Sequence, residues 1–327
     1  MTASAYRPTV LITDYAWPDV DIERQVIEAA GYQLVAGPAV AAPAAEIEAL
    51  VAKHEPAGIL TNWAQVSVKA VGLSPNLRII GRLGVGLDNI AVDEATRRGI
   101  WVTNVPDYCF EEVADHSVGM LLSWTRGLMH FDREVKAGRW EPSKARLRRM
   151  NTLTVGIVGY GRIGRSTAQK LNGFGARVLA YTRRPLTEQG VEFVELDKLL
   201  GESDAVIVHI PLTPDTKHLF NRERIAKMKP GAFIVNVSRG AVIETNALIE
   251  ALQSGQLGGA ALDVLENEPF VPHPLLNMPN VMITPHIAFT SDASLRELRT
   301  WASEEIVRVL KGEAPKEGRN TPAVSAA

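Results

Sequence analysis

The chain has 327 residues, 46% hydrophobic and 22% charged, a balance that excludes a disordered or fibrous protein and suits two domains, three at most. Thirty-five basic against 37 acidic side chains leave a net charge of −2, which gives no electrostatic footprint for general nucleic-acid binding. The single cysteine, Cys109, excludes an internal disulfide and is too little for a cysteine-built zinc site.

The stretch that looks most apolar, Leu34 to Ala52, is broken by Pro38, Pro43, Glu46 and Glu48, so no segment reads as a membrane span. The opening residues lack a charged region followed by a long apolar core. They do not read as a signal peptide, and a cytoplasmic location is expected.

The first hundred residues alternate short apolar runs with amphipathic stretches. Strands are predicted over Thr9 to Asp14, Tyr32 to Val35, Ala57 to Leu60, Leu77 to Ile80 and Trp101 to Thr103. Helices are predicted over Val20 to Ala30, stopped by Gly31, over Ala44 to His54, and over Val92 to Arg98. Phe110 to Leu128 reads as one long helix with Val113, Ser117, Met120, Leu121 and Trp124 on one face. The basic stretch from Lys136 to Met150 reads as a solvated loop.

A second alternating series starts at Thr152. Its strand candidates are LTVGIVG, ARVLAY, VEFVEL, AVIVHI, AFIVNV, GAALDV and NVMITP. Helices are predicted at Ile163 to Phe174, Thr245 to Ser254 and Ser291 to Leu310. Near-continuous apolar strands between helices imply an α/β fold of parallel sheets covered on both faces.

The strand Leu153 to Val158 runs into GYGRIG, with Gly159, Gly161 and Gly164 at dinucleotide spacing and Arg162 and Ile163 between the last two. Gly159 permits the tight turn, Gly161 lets the backbone approach a pyrophosphate, and Gly164 lets the helix pack against the strand. The helix N-terminus supplies N–H groups and a positive dipole end. After the second strand, where an NAD site holds Asp or Glu, stands Thr182, eighteen residues past Gly164 and followed by Arg183 and Arg184. Two guanidiniums with no carboxylate suit a 2′-phosphate, so NADP(H) is expected over NAD(H).

Three later strands each end in a functional group: Arg239 after Ala232 to Val237 and Ser238, Glu268 in Leu265 to Pro269, and His286 after Thr284-Pro285. Ligands of open α/β sheets bind outside the carboxyl ends of strands, so the three can converge. Reduction of a 2-oxo acid needs this set: an imidazole to protonate the oxygen, a carboxylate to orient it, and a guanidinium to hold the substrate's anion. No metal site is expected, since His209 and His218 lack ligand spacing. His116, beside Asp115, reads as a helix or interface residue.

These residues carry a resemblance. GRLGVGLDNI, GIVGYGRIG, HIPLTPDTKHL, NVSRGAVI, ALDVLENEP and TPHIA are similar, in order and spacing, to the signature segments of the D-isomer-specific 2-hydroxyacid dehydrogenase family. That family includes glyoxylate/hydroxypyruvate reductases and D-3-phosphoglycerate dehydrogenase. The match runs from about Thr9 to Leu310. The resemblance implies two Rossmann-like or flavodoxin-like doubly wound domains with the active site in the interdomain cleft. Residues 1–103 and 287–327 would form a discontinuous substrate domain, and 104–286 the dinucleotide domain. It implies His286 as acid/base, Glu268 as its partner and Arg239 as substrate binder. Leu83, Val85 and Gly86 would form the substrate-carboxylate loop.

The same resemblance makes His209, Ile210, Pro211 and Thr216, the strand end Val237 and Ser238, Asp263 and His286 itself the implied cofactor contacts. Asp263 would reach the nicotinamide carboxamide. The long helix from Phe110 would lie in a homodimer interface. No regulatory domain is expected beyond the last helix. NVPDYCFEEVAD is also similar to C-terminal-binding proteins, NAD(H)-binding corepressors that keep comparable residues, and this is the rival reading. A third is a dehydrogenase of phosphite or a phosphonate-bearing acid, to which Arg146, Arg148 and Arg149 could lend charge.

Overall fold

The protein is described here from a computed structural model over residues 7–184, 186–268 and 273–322. The chain divides into two compact units, Met1–Tyr108 with Ser291–Ala327, and Cys109–Thr290. The joints expected at 103/104 and 286/287 thus stand beside divisions a few residues further along the chain.

The first unit runs β1 (Thr9–Ile12), α1 (Asp21–Ala29), β2 (Gln33–Ala36), α2 (Ala44–His54), β3 (Gly58–Thr61), α3 (Val68–Leu73), β4 (Ile79–Arg82), α4 (Val92–Arg97) and β5 (Trp101–Thr103). Its five strands are all parallel in the order β2-β1-β3-β4-β5, the flavodoxin-like order. Leu11, Ile59, Ile80 and Val102 of the strands pack against Ile47, Val51 and Val71 of the helices on one face.

The second unit runs α5 (Phe110–Thr125), α6 (Leu128–Lys136), β6 (Thr154–Val158), α7 (Arg162–Gly173), β7 (Arg177–Tyr181), β8 (Glu192–Phe193), α8 (Leu196–Glu202), β9 (Ala205–Val208), α9 (Arg222–Ala226), β10 (Ala232–Asn236), α10 (Thr245–Gln253), β11 (Leu257–Leu262) and β12 (Val281–Ile283). The parallel order β12-β11-β10-β9-β6-β7-β8 is doubly wound about β6, with a seventh strand beyond β11. The Val- and Ile-rich strands are buried on both faces, as parallel strands between helices must be.

The last helix, α11 (Asp292–Leu310), returns to the first unit, where Ile306 lies under Gly58 and Gly81. Its Arg299 donates from Nε and Nη2 to both carboxylate oxygens of the fully buried Glu23 of α1, at 2.9 and 2.8 Å. A bidentate pair in this setting satisfies both groups, and removing either one leaves a buried charge.

Four expectations need correction. The helix from Phe110 stops at Thr125. Gly127 takes the left-handed φ of 60° and starts the separate helix α6, so the basic stretch begins on a helix end. VEFVEL yields only the two-residue β8, because Leu196 turns inward to start α8. The strand expected at Leu77 to Ile80 sits two residues later, as β4. Helices α3, α8 and α9 are five to seven residues long, too short to show a period. Pro269, in the run expected to follow β11, lies outside the described residues.

Candidate active site

In the second unit the turn after β6 is shaped for a phosphate. Gly159 has φ 102°, and a Cβ there would stand 2.5 Å from the carbonyl oxygen of His209. A Cβ on Gly164 would collide with the Gly159 carbonyl, so α7 packs directly on the turn. Gly161 faces open space and precedes α7 with no side-chain cap, so the helix N-terminus presents backbone amides to solvent. The cradle and this uncapped terminus fit a dinucleotide pyrophosphate. Thr182, Arg183 and Arg184 follow β7 directly. Both arginines are exposed, and among the described residues neither makes an ion pair.

The loop after β9 is tied to itself. Thr216 Oγ1 donates to Pro211 O at 2.6 Å and accepts from Thr213 N at 2.7 Å, so its hydroxyl braces the loop. The His209 ring is likewise engaged inward. Its Nε2 lies 3.0 Å from Thr167 Oγ1 on α7, and burial pushes the imidazole pKa down to about 3. His209 therefore meets the phosphate turn through its backbone, and the neutral ring pins α7.

Three neighbouring strands precede Arg239, Glu268 and His286. β12, β11 and β10 are adjacent, so the turns that follow them share one edge. A Cβ on Gly240 would collide with Leu265 and Glu266, which puts the Arg239 turn in backbone contact with the turn after β11. His286 Nδ1 lies 2.7 Å from Glu268 Oε2, with the imidazole side chain 25% exposed. The other carboxylate oxygen of Glu268 accepts from Leu265 N at 2.8 Å. Arg239 Nη1 donates to Ser238 O at 2.8 Å, and Ser238 is held through Asn236 Oδ1. The imidazole and its carboxylate are thus in contact, and Arg239 sits on the abutting turn.

Asp263 does more than its motif suggested. It is 2% exposed, and its carboxylate accepts from Thr284 Oγ1 at 2.5 Å, Ile287 N at 3.0 Å and Ala288 N at 2.8 Å. Its carbonyl accepts from His286 N at 2.9 Å. His286 has φ 54°, an uncommon conformation for a residue with a side chain, and Asp263 braces it from both sides. His116 Nε2 adds a contact to Thr284 Oγ1 at 3.0 Å and stands 3.7 Å from Asp263 Oδ1.

Sequence reasoning gave His116 no part in this cluster, and no linear signal joins positions 168 residues apart. It also missed the pair of His218 Nε2 and Glu266 Oε1 at 2.5 Å. Burial works to raise the Glu266 pKa, but hydrogen bonds from Thr245 and His218 outweigh it and hold the carboxyl below its usual range.

In the first unit, the loop after β4 exposes Val85 and half-buries Gly86. The Leu83 side chain is buried, so Leu83 can contribute only backbone to a ligand.

Arg146, Arg148 and Arg149 are exposed and not gathered on one anion site. Arg148 stacks 4.8 Å over Trp124, and Arg146 donates to the carbonyls of Ser143 and Ala145. Among the described residues no three His, Cys, Asp or Glu side chains group as metal ligands.

Comparison with known proteins fits this geometry. A family model described as "D-isomer specific 2-hydroxyacid dehydrogenase, NAD binding domain" matches residues 118–288. A glyoxylate reductase of Thermofilum pendens is 40% identical over 261 residues, 77% of each chain. The NADPH-dependent glyoxylate/hydroxypyruvate reductase of Sinorhizobium meliloti, solved with NADP and malonate, superposes with TM-score 0.85 at 31% identity, covering 98% of this chain and 100% of that one. A D-lactate dehydrogenase of Aquifex aeolicus, solved with NAD and lactic acid, gives TM-score 0.85 at 30% identity over 96% and 100%.

The buried imidazole makes a pH signature. Below pH 6.5 the unfolded chain binds a proton that His209 refuses in the folded state until about pH 3, so stability is lost as pH falls through that window. Between about pH 5.5 and about pH 4, urea unfolding should show His209→Gln losing up to about 1.4 kcal/mol less per pH unit than the wild type. Equal slopes would mean the ring titrates normally.

Proposed function

Because the chain belongs to the D-isomer specific 2-hydroxyacid dehydrogenase family, we propose that it reduces a small 2-oxo acid of the glyoxylate or hydroxypyruvate type to the D-2-hydroxy acid, with NADPH as the preferred reductant. The observation that carries this reading is the 2.7 Å contact of His286 Nδ1 with Glu268 at the strand ends, beside the Arg239 turn. When bound, the nicotinamide supplies the hydride.

As hydride adds to the carbonyl carbon, charge grows on the oxygen, and His286 donates the proton from Nε2. Glu268 fixes the tautomer and the orientation of the ring by holding Nδ1–H. Arg239 polarises the carbonyl and grips the carboxylate. From the motif resemblance we also assign the backbone amides of Val85 and Gly86 to binding of a carboxylate. The rival corepressor and phosphite readings have no comparable support, since the relatives are reductases and Arg146 and Arg148 are engaged elsewhere. His286→Ala should lower kcat by about 10²- to 10⁴-fold while NADPH binding, read by fluorescence, survives. Near-normal turnover would remove the mechanism.

Preference for NADPH rests on Thr182, which repels no 2′-phosphate, and on the two exposed arginines beyond it. NAD(H) is the weaker alternative. Thr182→Asp combined with Arg183→Ala should move kcat/KM toward NADH by on the order of 10- to 100-fold. Wild-type protein that favours NADH tenfold or more would refute the preference.

No described helix is long and apolar enough to cross a membrane, and the reading implies the cytoplasm, where the dinucleotide is supplied. A homodimer is the assembly we propose. Leu128, Val135, Trp140 and Leu147 on and after α6 are all exposed, Trp140 by 80%, a concentration of apolar surface that a free monomer rarely keeps. Arg133, Glu134, Arg139 and Glu141 lie among them, so a second copy related by a two-fold axis meets both signs of charge. Trp140→Asp with Leu128→Asp should turn a dimer into a monomer by sedimentation. An unchanged mass would place the interface elsewhere.

A further inference from the structure

The loop after β4 has three successive carbonyls taken from below. Leu83 O accepts from the guanidinium of Arg82. Gly84 O accepts from Val105 N at 3.0 Å, and Val85 O accepts from Asn104 Nδ2 at 2.5 Å. A trans peptide is planar, so each N–H points opposite to the carbonyl of its own peptide unit. Holding these carbonyls therefore turns the N–H groups of Gly84, Val85 and Gly86 to the opposite side of the loop, where Val85 is exposed and Gly86 half-buried. Among the described residues those three N–H groups meet no acceptor.

Gly84 is required for this arrangement. Its φ is 152°, and a Cβ would lie 2.7 Å from Arg82 Nη1.

Asn104 is itself held from far along the chain. It is 6% exposed, and its Oδ1 accepts from Arg319 Nε at 2.5 Å. Arg319 lies in the segment after α11 that straps the edge of β5. Gly318 bridges Thr103, and Arg319 N donates to Val102 O at 2.8 Å. Glu317 holds the guanidinium from the other side at 2.6 Å. The neighbouring Asn320 ties the same strap to β5 through Val102 N, and to α4 and the turn after it through Thr96 Oγ1 and Ile100 O, with no hydrogen bond to Asn104.

We infer that Arg319, acting through Asn104, is a positioning residue for the backbone amides that receive the substrate's carboxylate. The oxygen of Asn104 is engaged by Arg319, which orients the amide so that its Nδ2 faces the Val85 carbonyl. The Val85–Gly86 peptide is then fixed with its N–H outward before any ligand arrives, which lowers the cost of ordering it on binding. Without Arg319, the Asn104 amide can rotate and the Val85 carbonyl can turn toward the incoming anion. This inference rests on the 2-oxo acid reading given above.

The test compares three variants in steady-state assays with glyoxylate and NADPH. Arg319→Gln should raise KM for glyoxylate roughly 10-fold, the loss expected for about one hydrogen bond to a charged group. Its kcat should stay within about twofold and its KM for NADPH should not change. Arg319→Lys should recover part of the loss. Asn320→Ala, which loosens the same strap, should lower the melting temperature and leave KM for glyoxylate unmoved.

Calorimetric titration of malonate into each protein with NADP supplies a readout independent of turnover, and Arg319→Gln should weaken that binding by the same factor. An unmoved KM in Arg319→Gln, or an equal rise in Asn320→Ala, overturns the relay while leaving the substrate reading intact. Wild-type protein that neither reduces 2-oxo acids nor binds malonate overturns the substrate reading, and the relay with it.

Discussion

The carboxylate of Asp263, just past β11, accepts three donors from the segment that carries His286, while the Asp263 carbonyl takes the His286 amide. The placement of the His286 side chain depends on this arrangement. An imidazole at φ 54° cannot be held by its own backbone preference, since that conformation is disfavoured for a residue with a Cβ. A buried acceptor with several donors over-determines the turn and makes the uncommon conformation the stable one. The side chain then meets Glu268 without a search, and the Glu268 oxygen not facing the ring is fixed by Leu265.

The same economy recurs around the second unit. The phosphate turn after β6 touches the β9 end through Gly159 and His209, and the Arg239 turn touches the turn after β11 through Gly240 and Leu265. Parallel strands deliver all their carboxyl ends to one edge of a sheet, so side chains far apart in sequence arrive as neighbours. Glycine at the contact points lets one turn bear on the next without a side chain between them.

In the first unit, the loop after β4 that we propose as the carboxylate site carries little charge. Peptide N–H groups carry only partial charge, and a flexible loop would turn them inward to its own carbonyls. Occupying those carbonyls with Arg82, Asn104 and Val105 removes that option. The buried Arg299–Glu23 pair meanwhile seats the returning helix α11, from which the strap carrying Arg319 continues to β5.

Much of this was legible in the linear order of residues. Alternating apolar runs and amphipathic stretches declare parallel α/β units, because strands buried on both faces must be apolar throughout. GYGRIG declares its turn, because each glycine answers a local steric demand, and the strand-end positions of Arg239, Glu268 and His286 follow from counting. Short helices such as α3 and α9 escaped because fewer than two turns show no period, and the break at Gly127 escaped because one glycine within a helical pattern is tolerated as often as it ends it. Only the tertiary structure decided that the Thr216 hydroxyl and the His209 ring turn inward, that Asp263 and His116 grip the segment around Thr284, and that Arg319 reaches Asn104. The reason is physical: a side chain's partner depends on the direction of its backbone where strands end, and residues 168 or 215 positions apart carry no mark of each other until the sheet brings them together.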